Sequence, residues 1–334
     1  VIQKLLVIRL SALGDIAMTV PVVASLCRQY PDIEVTMLTS RMGEKIYRAV
    51  LADVTNLRVK GIDVKRDYHG IGGLNRLYHE LKAEGFDAVA DLHDVLRTKW
   101  LNLRFSLHRT PKAHIDKGRA DKKALVAHKC QEQLKTSIER YREVFGQLGL
   151  PVTLDFEPQP LASDVTLAAT NNIGIAPFAQ HRGKIYPKEQ MLRVIALLIS
   201  RVADLHIYLL GGPDEQAELD AWAERNPSRI TNTAGRQTLA DDLRLMSRLD
   251  CIISMDSANM HMASLVGCRA VSIWGATDVR AGFFGYRQRP EDAVSLPLEC
   301  RPCSIYGNKP CKFGDYRCMT GISPEIVVER VLSK

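Results

Sequence analysis

Asp250 to Gly275, DCIISMDSANMHMASLVGCRAVSIWG, is the stretch whose reading decides the fold. Cys251-Ile252-Ile253-Ser254-Met255 is an apolar run of strand length, and Asp256-Ser257 behind it supplies side-chain oxygens of the kind that cap a first helical turn. Met262, Leu265 and Val266 recur at helical spacing, Gly267 sits where a helix stops, and Ala270 to Trp274 makes a second strand. This is a βαβ unit. The unpaired N–H groups of its helix start point out of the carboxyl edge of the sheet, where an anion is well placed. A phosphate-bearing ligand is one expectation; the other is an ordinary α/β unit in which Asp256 only caps a helix.

Working outward, 334 residues are too many for one typical core and predict about two domains. Hydrophobic residues at 46% and charged residues at 25% are globular values, which excludes a disordered chain. No apolar run approaches the roughly 20 residues needed to span a bilayer, and Leu5 to Leu10, interrupted by Arg9, is too short for a signal-peptide core. The expectation is a soluble cytoplasmic protein. Between Arg97 and Lys129 there are ten Lys or Arg against only Asp116 and Asp121, an excess larger than the whole-chain net of +7. A local basic face implies an anionic partner (nucleic acid, anionic lipid or a charged sugar) or else a solvated surface.

Upstream, Lys4 to Leu10 is a strand, Ser11-Ala12-Leu13-Gly14-Asp15 a small-residue loop, and Ile16 to Gln29 a helix despite Pro21. G-x-G-x-x-G is absent, which argues against a dinucleotide cofactor. Strands at Glu34 to Thr39, around Val59 and at Ala88 to Leu92 alternate with helical segments such as Leu74 to Glu84, which predicts a parallel sheet covered on both faces. Gln131 to Leu148 reads as a long amphipathic helix, and Leu150 to Pro160, with three prolines, as an interdomain linker. The alternation then restarts: Asn172 to Pro177, His206 to Leu210 and the organising stretch supply strands, Lys188 to Arg201, Asp214 to Arg225 and Leu239 to Leu249 helices. Pro324 to Leu332 is a helix able to pack back on the first domain. The fold class is α/β, two Rossmann-like domains facing across a cleft.

Four ordered segments, Arg9-x-Ser11-x-x-Gly14-Asp15, Asp91-Leu92 through Arg97, Arg182-Gly183-Lys184-x-Tyr186-Pro187, and Asp256 to His261 with Gly275-Ala276-Thr277-Asp278, together resemble the ADP-heptose:lipopolysaccharide heptosyltransferases of glycosyltransferase family 9. The chain departs from the family pattern at Ser257-Ala258, where Thr-Gly is usual, at Tyr186, usually Trp, and at Ala276, usually Pro. The resemblance implies a GT-B fold, with residues 1–155 binding the acceptor and carrying the general base and residues 165–334 binding a nucleotide-sugar donor. It implies an inverting, metal-independent transfer of heptose or a related sugar from an ADP-sugar to the anionic lipopolysaccharide inner core.

Such a transfer needs an acceptor hydroxyl made nucleophilic and a diphosphate whose growing charge is stabilised. Asp15 resembles the family's general base; from position alone it would cap the following helix. Lys184 is the candidate cation for the diphosphate, aided by the backbone N–H groups of Ser257, Ala258 and Asn259. Asp256 orders the turn, pairs with Lys184 or contacts a sugar hydroxyl. His261 matches the family's histidine or is a structural residue, and Gly212 with Gly211 admits adenine and ribose. Ser11, Gly14, Arg97, Arg119 and Arg140 resemble acceptor-contacting positions, and the basic segment would also meet an anionic membrane surface at the inner face of the membrane.

No cofactor or catalytic metal is expected. Cys300, Cys303, Cys311 and Cys318, spaced C-x2-C-x7-C-x6-C, are either reduced structural thiols or a four-thiolate zinc knuckle. Two other functions stay open: a nucleic-acid-binding protein using the basic face, although only Trp100 and Phe105 are aromatic there, and a nucleotide-sugar epimerase or hydrolase on the same architecture.

Overall fold

The computed structural model describes residues 1–333, in two α/β units: Val1–Lys117 with Lys135–Glu157, and Gly118–Leu134 with the chain from Pro158 onward. The first unit runs β1 (Lys4–Arg9), α1 (Leu13–Gln29), β2 (Glu34–Ser40), α2 (Arg41–Val50), β3 (Leu57–Ile62), α3 (Val64–Asp67), α4 (Gly70–Ala83), β4 (Ala88–Asp91), α5 (Leu96–Ser106) and β5 (Lys112–His114). After α6 (Arg119–Val126), α7 (Ser137–Gln147) completes it. Its five strands lie in the order β3-β2-β1-β4-β5, all parallel, with Ile8 opposite Asp91. β1 is buried beyond its first residue because helices cover both faces, so it reads as a continuous apolar run rather than an alternation.

The second unit runs β6 (Asn171–Ala176), α8 (Lys188–Arg201), β7 (Leu205–Leu209), α9 (Gln216–Ala223), β8 (Ile230–Asn232), α10 (Leu239–Met246), β9 (Cys251–Met255), α11 (Ala258–Leu265), β10 (Ala270–Ile273), β11 (Ala293–Val294), α12 (Arg317–Thr320) and α13 (Pro324–Leu332). Its strand order is β11-β10-β9-β6-β7-β8, again all parallel. In both sheets the order reverses beside the first strand, between β1 and β4 and between β6 and β9. Right-handed crossovers send the loops after those strands apart and leave a crevice at the carboxyl edge.

Three expectations change. The helix drawn from Gln131 to Leu148 is α7 alone: Thr136 Oγ1 accepts the Glu139 N–H, and Glu139 Oε2 accepts the Thr136 N–H at 2.7 Å, a reciprocal cap that fixes the start. Residues 118–134 do not stay with the N-terminal residues around them. Leu125 and Leu134 share a core cluster with Ala281, Phe283 and Ile305, the Lys122 ammonium lies 4.3 Å from the Phe283 ring centre, and the Leu134 N–H donates to Arg280 O. The terminal helix α13 packs on α8 within its own unit, with Val327 and Val328 in that unit's core and Glu325 paired to Arg193.

Candidate active site

In the first unit the loops after β1 and β4 meet at the switch point. The buried Arg9, last residue of β1, donates to Leu92 O at 2.7 Å and pairs with Asp15 Oδ2 at 2.6 Å, its guanidinium lying over the Tyr141 ring. Burial opposes this charge, but Tyr141, Asp15 and Asp91 more than offset it and hold the Arg9 pKa above its ordinary value. Asp15 stands in the first turn of α1 and also accepts the Ala12 N–H at 3.3 Å, so capping and pairing with Arg9 are served by one half-buried carboxylate. Ser11 is exposed beside it, and Gly14 lies in the same turn.

Asp91, fully buried, fixes the facing loop: Oδ1 accepts the N–H groups of His93 and Asp94, and Oδ2 accepts from Asn102 Nδ2 at 2.7 Å. This turn holds His93, a residue that sequence reasoning missed. Its Nδ1 accepts the Leu10 N–H at 3.4 Å, which leaves the proton on Nε2, 3.3 Å from Ser11 Oγ. Burial, then the charges of Arg9, Lys117 and Arg97, push its pKa down to about 3, against a smaller opposing pull from Asp15. His93 is therefore a neutral donor that holds Ser11 Oγ as acceptor. Its signal was its place, two residues past the strand that flanks the switch point.

That depressed pKa has a measurable consequence. The unfolded chain takes up a proton near pH ~6.5, whereas folded His93 does so only near 3. Its share of stability is complete above ~6.5 and is lost as the pH falls toward 3. Urea midpoints should therefore fall more steeply with acid for the parent than for His93→Gln across this window. Parallel profiles would mean that His93 does not titrate in this way.

In the second unit the loops after β6 and β9 meet likewise. Lys184 Nζ lies 2.8 Å from Asp256 Oδ2, with the lysine side chain 17% and the aspartate 4% exposed. The stem of Lys184 lies against Gly307, whose φ of +73° and whose lack of a Cβ are both needed: a Cβ would stand 2.7 Å from Lys184 Cγ. Tyr186 is buried, donates from its hydroxyl to Ile322 O at 2.8 Å and thereby anchors the segment that carries Lys184.

Asp256 leads directly into α11, where Ser257 is the N-cap residue but makes no side-chain cap; its Oγ instead lies 3.2 Å from Ser254 Oγ. The first N–H groups of α11, at Ala258 and Asn259, are thus not taken up by a capping side chain. His261 is buried one turn in. Arg301, which sequence reasoning also missed, is buried and donates to the carbonyls of Gly275, Thr277 and Leu296, fixing the loop after β10. Burial pulls its pKa below the ordinary value. Gly212 has open space beside its Cα and gives its N–H to Glu215 Oε2 at 2.8 Å.

The cationic residues expected at the acceptor have different settings. Arg97 is exposed in the first turn of α5, whereas Arg119 is exposed at the start of α6, in the second unit. Arg140 is only 4% exposed and donates to Lys135 O and Asp116 O, so it clamps α7 to the loop after β5 rather than standing as a surface cation.

All eight cysteines are unbridged. Cys300, Cys303, Cys311 and Cys318 line one small cavity with Arg301, Lys309 and Lys312, but among the described residues no three His, Cys, Asp or Glu side chains converge to hold a metal ion. Burial raises the Cys318 thiol to about 11, whereas N–H donation from Phe313, Tyr316 and Gly314 outweighs burial and lowers Cys311. Among the described residues no helix is long and apolar enough to cross a membrane.

A family model, glycosyltransferase family 9 (heptosyltransferase), matches residues 74–314. Lipopolysaccharide heptosyltransferase 3 of Escherichia coli is 23% identical over 289 residues, 79% of this chain and 81% of that protein. The family 9 glycosyl transferase structure from Veillonella parvula superposes with a TM-score of 0.74 at 20% identity, covering 99% of this chain and 98% of that one. The E. coli ADP-heptose lps heptosyltransferase II structure does so with a TM-score of 0.67 at 16% identity, covering 98% and 97%. With two parallel-sheet units of the GT-B type, each carrying its charged residues at its switch point, and with most of its length matched by the family model, the chain belongs to glycosyltransferase family 9 and is a glycosyltransferase.

Proposed function

We propose that the protein is an inverting heptosyltransferase that takes its sugar from an ADP-sugar and adds it to the anionic inner core of lipopolysaccharide. The observation that carries this reading is the pairing of Lys184 with Asp256 at the uncapped start of α11, a cation and a row of N–H donors at the position where a diphosphate is well accommodated. Asp256 holds Lys184 in place before the donor arrives; the diphosphate then competes for the same ammonium. In the first unit Asp15 accepts the proton of the acceptor hydroxyl, whose oxygen attacks the anomeric carbon as the bond to the ADP oxygen breaks on the opposite face. Arg9 orients that carboxylate, and Ser11, held by His93, lies beside it. The names of the relatives, lipopolysaccharide heptosyltransferase and ADP-heptose lps heptosyltransferase, support this choice of donor and acceptor.

Product analysis with ADP-heptose, with and without a lipopolysaccharide-core acceptor, tests the reading. Sugar appearing on the acceptor, with release of ADP that depends on the acceptor, is the expected result. Acceptor-independent release or sugar isomerisation would give the hydrolase or epimerase instead. If Arg97 meets an acceptor carboxylate or phosphate, Arg97→Ala should raise the acceptor KM by about tenfold, a partly exposed charge-assisted contact, and leave the donor KM unchanged. Equal changes in both constants would return Arg97 to the solvated surface.

A further inference from the structure

The helix α5 buries Thr98, Leu101, Asn102 and Phe105 on one face. At 100° per residue the opposite face carries Leu96, Trp100, Leu103 and Leu107 in one stripe. Leu96 is 88%, Leu103 52% and Leu107 69% exposed, with Trp100 half-buried between them. Single exposed leucines are ordinary, but a continuous stripe aimed away from the core is not. Ile71, 64% exposed in α4, adds a further apolar side chain on the neighbouring helix, which packs on α5.

The stripe is flanked by cations. The same helical geometry puts Arg97 and Arg104 along one side and Lys99 along the other, and the exposed Arg109 follows beyond the helix end. Lys99 Nζ lies 3.3 Å from Asp94 and the Arg104 guanidinium lies over the Tyr78 ring, so these two cationic ends are held against the protein on either side of the stripe, while Arg97 is exposed. An apolar stripe with basic edges is the pattern of a helix that lies in the plane of a membrane interface, leucines among the acyl chains and cations at anionic headgroups.

We propose that α5 seats the first unit on an anionic lipid bilayer. The charge selects this occupant: a second copy of this chain would bring the same row of cations against itself, whereas an anionic headgroup layer neutralises it. The placement fits the chemistry. α5 begins five residues past β4, at the carboxyl edge that carries Ser11, His93 and Asp15, and the charge of Arg97 is felt at His93. An acceptor anchored in that bilayer would therefore present its sugars at the edge where the proposed base stands. The inference rests on the proposed reading only in that the acceptor is lipid-linked.

Sedimentation with phosphatidylcholine vesicles, with and without phosphatidylglycerol, tests it on the full chain. The parent should partition onto the anionic vesicles and be released by salt. Leu96→Gln/Leu103→Gln/Leu107→Gln, at exposed positions, should keep the parental melting temperature and lose about tenfold or more of the partition, since each leucine forfeits its burial. Lys99→Gln/Arg104→Gln should lose the preference for phosphatidylglycerol. Transfer to a delipidated, water-soluble acceptor should stay at the parental rate in both variants. Equal partition of the parent and the triple-leucine variant would overturn the proposal, as would a partition indifferent to phosphatidylglycerol, or leucine-dependent self-association in the absence of lipid. A parent that binds vesicles through the leucines but transfers nothing to the soluble acceptor would refute the enzymatic reading and leave the membrane face standing.

Discussion

Asp15→Asn should lower turnover by about 10²–10⁴-fold while donor affinity, measured separately, stays at the parental value. The substitution is nearly isosteric, and the amide oxygen still accepts from Arg9, which keeps its bond to Leu92 O. What is lost is the proton acceptor, together with the charge that faces Arg9 and the acceptor for the Ala12 N–H if the amide nitrogen turns that way. A stability loss of about 1–2 kcal/mol is expected from the weaker pairing. Capping and catalysis thus separate cleanly: a variant that loses that stability but retains near-normal turnover would make Asp15 a capping residue and nothing more.

Lys184→Ala should cost both donor affinity and turnover, about 10²–10³-fold in kcat/KM, because the ammonium is set against charge that grows on the leaving diphosphate. It should also destabilise the fold by about 3–5 kcal/mol, since Asp256, only 4% exposed, would be left as a buried carboxylate without its cation. Adding Asp256→Asn removes that second penalty without returning the cation. The double variant should therefore regain most of the stability and none of the activity, a cycle that tells a donor site from a structural ion pair. Chelation with EDTA should leave the parent's activity intact. Loss restored by Mg²⁺ would contradict the assignment of the diphosphate's charge to Lys184 and the start of α11.

The two sheets were legible because their inner strands are long, apolar and regularly spaced by helices, as at Leu5 to Leu10 and Cys251 to Met255. β5, β8 and β11 were not, since strands of three, three and two residues at or near the sheet edges, one of them Lys-Ala-His, have no periodicity to read. Asp15, Lys184 and Asp256 were singled out through motifs; the structure adds Arg9 against the first and pairs the second with the third, one of the arrangements the sequence left open for Asp256. The place of His93 two residues past β4 became a signal only with the strand order, because one histidine between Leu92 and Asp94 looks like any loop until β4 is known to lie beside β1. The settings of Arg140 and Arg119 were not legible in the sequence for a common reason. A charge count along the chain records neither burial, which takes Arg140, nor core membership, which takes the helix beginning at Arg119 into the second unit through Leu125.

That membership bears on how the protein comes off the ribosome and how it can be cut. Residues 118–134 are made early, yet Ala281, Phe283 and Ile305, the surface that receives Leu125 and Leu134, emerge some 150 residues later. The first unit can meanwhile close, since α7 follows at once, but only by extruding this stretch as a waiting loop with its leucines uncovered. The polypeptide accordingly passes from one unit to the other three times, after residues 117, 134 and 157. Severing it in the proline-rich stretch at 150–160, the natural choice from composition, would strand a helix on one fragment and strip the other of its cover. Two well-behaved halves would instead require residues 118–134 to be excised from the first and supplied to the second.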